Sequence, residues 1–139
     1  MDIIDAFDIS SSGLLAERLR LEAVSSNLAN ARTTKTENGG PYQRRVPVFE
    51  TEPARSPRTP GDNALVGVRV ARFAEVKGEQ RVYDPTHPDA GPDGYVAYPD
   101  IDVLHEMVDM MTASRAYEAN AAAVETTRDL AMRALEIGR

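Results

Sequence analysis

Cysteine and tryptophan are both absent from the 139-residue chain. Without cysteine there are no disulfides, thiolate metal sites or cysteine nucleophiles, which suits a chain whose final compartment is oxidising. Aromatic residues make up 6%, few for a large globular core, which usually draws much of its volume from big rings. No apolar run approaches the roughly 20 residues needed to cross a bilayer, so membrane insertion is not expected. The start, MDIIDAFDISSSG, holds three aspartates and no basic residue; it does not read as a secretory signal peptide, and leaving the cytoplasm would need a route without a cleavable signal. Proline is missing from both ends, since all nine lie between residues 41 and 99. That leaves each end free to form a long helix.

The net charge of −6 is unevenly spread. Residues 1–38 carry four basic and six acidic groups, residues 39–82 eight and five, and residues 83–139 four and eleven, or −2, +3 and −7. No basic stripe exists beyond Arg44-Arg45 and scattered arginines, which argues against nucleic acid as a partner. A basic middle with an acidic tail can draw copies together head to tail, or the segments can be separately solvated surfaces.

The first segment follows a heptad stripe: Ile3, Phe7, Ser10, Leu14, Glu17, Leu21, Val24, Leu28, Ala31. Ser10 and Glu17 interrupt it. It predicts one helix over about residues 3–30, with a soft spot, kinked or frayed, at Ser10–Gly13. Asn38-Gly39-Gly40-Pro41 closes the segment. Within "SSNLANARTT", Asn27 and Asn30 stand beside Val24 and Leu28. Asparagine is a poor helix former because its amide competes for backbone groups. Either the two amides make directional bonds that set helix register, or they fray the helix end with Asn30 near a C-cap.

The middle is different material. Val46 and Val48 alternate around Pro47, an edge-strand signature. "TEPARSPRTPGDN" has no apolar periodicity and reads as a mobile loop over about residues 50–65. Val66, Val68 and Val70 alternate toward Phe73 as a half-buried strand, and Gln80–Tyr83 offers another. "VYDPTHPDAGPDGY" is turn chemistry throughout. From Asp100 to Ile137 the 38 residues contain neither glycine nor proline. Asp102 suits an N-cap and Gly138 a stop. A second heptad stripe runs through Val103, Met107, Met110, Ser114, Tyr117, Ala121, Val124, Arg128, Ala131 and Leu135.

The fold class is mainly α with a small β insert. The long N- and C-terminal helices are expected to pair as an antiparallel coiled-coil-like hairpin over residues 1–32 and 100–139. Short strands and Pro/Gly-rich loops fill residues 33–99. A two-helix hairpin is marginal alone, because ordering two long helices outweighs burial along one narrow stripe. Leu104, Val108 and Met111 add a second apolar stripe that one partner helix does not cover. Alanines at 116, 119 and 121–123 permit close approach from several sides, or are simply good helix formers.

Catalytic and metal chemistry find little footing. His87 and His105 match no ligand spacing. Asp84, Asp89 and Asp93 lack the ligand pattern of a calcium loop. Ser10–Ser12 has no nucleophile-elbow context, and "NGGPYQ" is not a phosphate loop. No cofactor is expected.

The blocks "GLLAERLRLEAVSSNLANARTTKTENGGPYQRRVPVF" and "VYDPTHPDAGPDGYVAYPDIDVLHEMVDMMTASRAYEANAAAVETTRDLAMRALEIGR" resemble the flagellar rod and hook axial proteins. "GGPYQRRV" and "VYDPTHPDA" are similar to the proximal-rod branch. The resemblance covers most of the chain except about residues 50–65. It implies a non-catalytic shaft subunit located in the basal body. Such a subunit is exported by the flagellar type III system and polymerises through its terminal helices. Its partners would be other copies of itself, sister rod proteins, and export-gate and basal-body components. The assembly interface would then fall on Leu14, Leu21, Val24, Asn27, Leu28 and Asn30 of the first helix. On the second it would fall on Met107, Met110, Tyr117, Ala121, Val124 and Leu135. A soluble coiled-coil adaptor or export chaperone for flagellar proteins is the alternative, though it has no use for the β insert.

Overall fold

The structure, a computed structural model, describes residues 3–53 and 66–137. In chain order the elements are α1 (Ile3–Ala29), β1 (Arg44–Pro53), β2 (Val66–Val76), β3 (Glu79–Tyr83), β4 (Tyr95–Pro99) and α2 (Val103–Ile137). The chain is mainly helical with a small β insert between its two long helices. At 1.5 Å per residue α1 is about 40 Å long and α2 about 52 Å.

The helices lie side by side and antiparallel. Asn27 meets Glu106, Arg20 bonds Asp109, and Gly13 faces Asn120. These pairings place the first turn of α1 level with about residue 130, so the last two turns of α2 run on past it. Among the described residues, the buried apolar ones are Ala16, Ala23 and Val24 on α1, Ala113 on α2, and Val96 and Pro99 on β4. The buried apolar residues of the two helices other than Val24 are alanines, which permit a close approach of the backbones, and they share the interior with the Asn27–Glu106 pair. Gly13 serves the same approach: a Cβ there would sit 2.9 Å from Asn120 Nδ2. α1 is continuous through Ser10–Gly13, so the soft spot expected there is a packing position instead.

β1 and β2 form an antiparallel ribbon, Arg44 opposite Val76 and Pro53 opposite Val66, with a bulge between Val48 and Phe49. The ribbon crosses α1 obliquely. At its base the outer edge of β1 meets Asn27 through both backbone groups of Arg45. At its far end Val68 of β2 donates its N–H to Ser12 Oγ at 3.1 Å. Gly67 is required beside that bond, since a Cβ would fall 2.7 Å from the same hydroxyl oxygen. One helix thus covers opposite edges of the ribbon at its two ends, in keeping with the ribbon's twist.

β3 and β4 make a separate two-stranded sheet with Glu79 opposite Pro99 and Tyr83 opposite Tyr95. β3 falls where the sequence predicts a strand over Gln80–Tyr83, whereas the sequence predicts no strand at β4; its five residues directly follow a run of turn signals. The loop expected over 50–65 is corrected at its start, where Glu50–Pro53 belong to β1. Its remainder from residue 54 lies outside the described residues, as does the stop at Gly138. Asp102 caps α2 as expected, its Oδ1 accepting the N–H of Leu104 at 2.9 Å and of His105 at 3.3 Å.

Candidate assembly interface

The centre of the molecule is polar. Asn27 and Glu106 are each 1% exposed. The Asn27 amide donates from Nδ2 to the Arg45 carbonyl at 2.9 Å and to Glu106 Oε2 at 3.0 Å. Its Oδ1 accepts from the Arg45 N–H at 2.9 Å and the Tyr42 hydroxyl at 3.1 Å. Two donors and two lone pairs are thereby all used. Arg44 Nε bonds the other carboxylate oxygen of Glu106 at 2.5 Å, and Ser26 and Tyr42 share a hydroxyl contact at 3.0 Å. This knot joins α1, β1 and α2. It holds the buried charge in the way such charges are tolerated, paired and hydrogen-bonded.

Asn27, expected to set register between helices, makes all its bonds inside the chain and has none left for a neighbour. Asn30 is also satisfied locally, donating to the Ser26 carbonyl at 3.0 Å and accepting from Thr33 at 3.1 Å. The question posed by the SSNLAN stretch is answered by tertiary structure: one amide ties three elements, and the other closes the helix end.

Around the knot, charges brace the hairpin. Asp109 bonds Arg20, and with Glu17 it raises the Arg20 pKa against the opposing effect of burial. In the turn before β4, the Thr86 hydroxyl and N–H hold Asp84 below its ordinary value. The Tyr95 N–H, together with nearby Arg81, does the same for Asp93. Asp89, the third aspartate of that turn, accepts from the Thr34 hydroxyl at 2.7 Å. No group of three or more potential metal ligands exists among the described residues, nor does any helix there have the length and apolarity to cross a membrane.

The expected stripe residues are placed as follows. Val24 is buried between the elements. Leu14, Leu21, Leu28, Met110, Ala121 and Val124 are half-buried. Met107, Tyr117 and Leu135 are exposed. The inner stripe of each helix sits one position away from the heptad reading: Ala16, Ala23 and Asn27 on α1, Glu106 and Ala113 on α2. The heptad reading weights large apolar residues, whereas the close contact selects small ones. The seven-residue spacing of Ala16 and Ala23 was the available signal.

The large apolar side chains consequently face outward. Leu104, Met107, Val108 and Met111 form an exposed patch on the first turns of α2, and Leu130, Met132, Leu135 and Ile137 are exposed around its end. Contiguous exposed apolar surface of this kind marks an interaction site. A hairpin bound by small and polar residues, with its large side chains outside, defines a subunit built to be packed on by others.

Comparison with known proteins narrows that class. The family described as "Flagella basal body rod protein" matches residues 7–34, and "Flagellar basal body rod FlgEFG protein C-terminal" matches residues 93–137. The flagellar basal-body rod protein FlgC of Aquifex aeolicus is 44% identical over 98% of this chain and 97% of its own. The FlgC proteins of Bacillus subtilis and Salmonella typhimurium are each 39% identical over the full length of both chains. The chain belongs to the FlgC family of flagellar basal-body rod proteins.

Proposed function

We propose that this chain is a structural subunit of the proximal rod of the bacterial flagellar basal body. It is exported by the flagellar type III system and polymerises through its terminal helices to form the drive shaft. The observation that carries the reading is the inversion of the hairpin, with alanines, Asn27 and Glu106 inside and Leu104, Met107, Val108 and Met111 outside. Neighbouring helices would cover those exposed side chains. Burial of that surface supplies what a two-helix hairpin lacks.

Residues 1–32 and 100–139 form the axial helical part, their coiled-coil-like pairing extended by neighbours, and residues 33–99 form an insert outside it. The assembly interface includes the outward residues Met107, Tyr117 and Leu135 and the half-buried Leu14, Leu21, Leu28, Met110, Ala121 and Val124. Partners are further copies of the chain, sister rod proteins, and export-gate and basal-body components. The role needs no catalysis and no cofactor.

Quantitative mass spectrometry of purified hook–basal bodies from the source organism tests this. The chain is expected at a stoichiometry comparable to other rod components. Its absence from bodies with intact rods, despite expression in the cell, would favour a soluble adaptor or export chaperone.

A further inference from the structure

Two places in the chain set a side-chain carbonyl before a glycine in the left-handed region: Asn38-Gly39 and Asp93-Gly94, with glycine φ of +79° and +77°. In each, the glycine N–H donates at 2.9 Å to the carbonyl three residues back, Thr36 in one turn and Gly91 in the other. Their surroundings differ. Asp93 is held on both oxygens, by the Tyr95 N–H at 3.3 Å and by Arg81 at 2.7 Å, and a Cβ on Gly94 would lie 2.8 Å from the Tyr83 ring. Asn38 is exposed, and its amide makes no hydrogen bond among the described residues. Gly39 stands in open space, with nothing beyond its chain neighbours within 4 Å of the place a Cβ would take.

We propose that Asn38 is a site of spontaneous deamidation through a cyclic imide. The Gly39 backbone nitrogen attacks Asn38 Cγ and gives up its proton to solvent; the Cγ–Nδ2 bond breaks and ammonia leaves. Water then opens the five-membered ring. Cleavage of the new Cγ–N bond gives aspartate. Cleavage between the nitrogen and the Asn38 backbone carbonyl carbon gives isoaspartate, whose main chain runs through the former side chain. Water is the only co-reactant, and no electrons change hands.

The nitrogen reaches Cγ most easily where the following residue has no Cβ to obstruct it. The other asparagines precede Leu28, Ala31, Ala64 and Ala121, and Asn27 is also locked by four hydrogen bonds. Attack requires the Gly39–Thr36 bond to open, which an exposed turn permits more readily than a packed one. The product places a new negative charge beside Glu37. In its isoaspartate form it also adds one atom to the main chain in the link between α1 and β1.

The test is peptide mapping by mass spectrometry of the full-length protein, held in mildly alkaline heavy-oxygen water, with isoaspartate read by enzymatic methylation. Asn38 should convert at least about tenfold faster than Asn30 or Asn120, whose successors carry a Cβ. The product should be a mixture of aspartate and isoaspartate carrying the heavy oxygen. Asp93→Asn puts the same dipeptide in the held turn, where the side-chain oxygen keeps the Tyr95 N–H. Conversion there should be at least about threefold slower than at Asn38 in the folded chain, because a held turn opens less often, and comparable to it in urea. Conversion at Asn38 no faster than at Asn30 and Asn120 overturns the site. Labelled aspartate without isoaspartate means direct hydrolysis of the amide and overturns the cyclic route. Equal rates for the two dipeptides in the folded chain, or a gap that persists in urea, overturns the selection of Asn38 by its surroundings.

Discussion

Replacing Asn27 with aspartate keeps the side chain's shape and inverts half of its hydrogen bonding. Nδ2 now donates to the Arg45 carbonyl at 2.9 Å and to Glu106 Oε2 at 3.0 Å; a carboxylate oxygen there would face two acceptors. Losing the neutral bond costs about 1 kcal/mol, and losing the one to a carboxylate about 1.5–3 kcal/mol. Two carboxylates about 3 Å apart repel by roughly 5 kcal/mol at an effective dielectric of 20. Arg44, already on Glu106 Oε1, and relaxation of the pair offset part of this. The net loss expected at neutral pH is about 3–5 kcal/mol, a large share of the about 5–15 kcal/mol typical of a folded domain. Urea denaturation followed by circular dichroism, with Asn27→Asp beside the natural chain at pH 7, measures it. A gap under about 1 kcal/mol would refute the view that this amide ties α1 to β1 and α2.

Gly67→Ala should cost about 1–2 kcal/mol in a thermal melt, because its Cβ must displace the Ser12 hydroxyl that accepts the Val68 N–H. Ser12→Gly in the same chain frees the space without restoring the bond, so it should recover only part of the loss. Asp84 and Asp93 have depressed folded-state pKa values. Their contribution to the turn before β4 is therefore complete above the ordinary carboxylate range and lost as the pH falls through the depressed values. Hydrogen exchange over residues 84–95 should accelerate in acid relative to the β1–β2 ribbon, and uniform behaviour would count against it. Met111→Glu on the outer face should leave the isolated chain's stability within about 0.5 kcal/mol while reducing its incorporation into basal bodies and the swimming of the cells. Normal incorporation would remove this face from the interface.

Much of the framework is legible in local chemistry. A stretch of 38 residues without glycine or proline, opened by a capping aspartate, becomes α2 because its backbone has no cheaper alternative. The alternating valines of β2 and the edge-compatible proline of β1 show the same local determination. β4 escaped because YVAYP is short and abuts turn residues, so its partner β3 had to be known before it could be recognised as a strand.

The faces of the helices are another matter. Periodicity identifies a helix and ranks its apolar residues, but it does not say which stripe another element will cover. Leu104, Met107 and Met111 outweigh Ala113 in hydrophobicity, yet Ala113 is the residue at the helix contact, because two backbones can approach closely only where side chains are small. Glu106 and Asn27 stand 79 residues apart, and nothing local marks them as partners.

By itself the sequence determined the two long helices, the proline-confined insert, the exclusion of thiol chemistry and, through its rod-like blocks, the family. Only the tertiary structure decided which helix faces meet, that the ribbon splits from the second sheet, and that Asn27 and Glu106 lie buried together. Propensity and capping act within a few residues along the chain, whereas burial and hydrogen-bond completion depend on what arrives from far away in sequence.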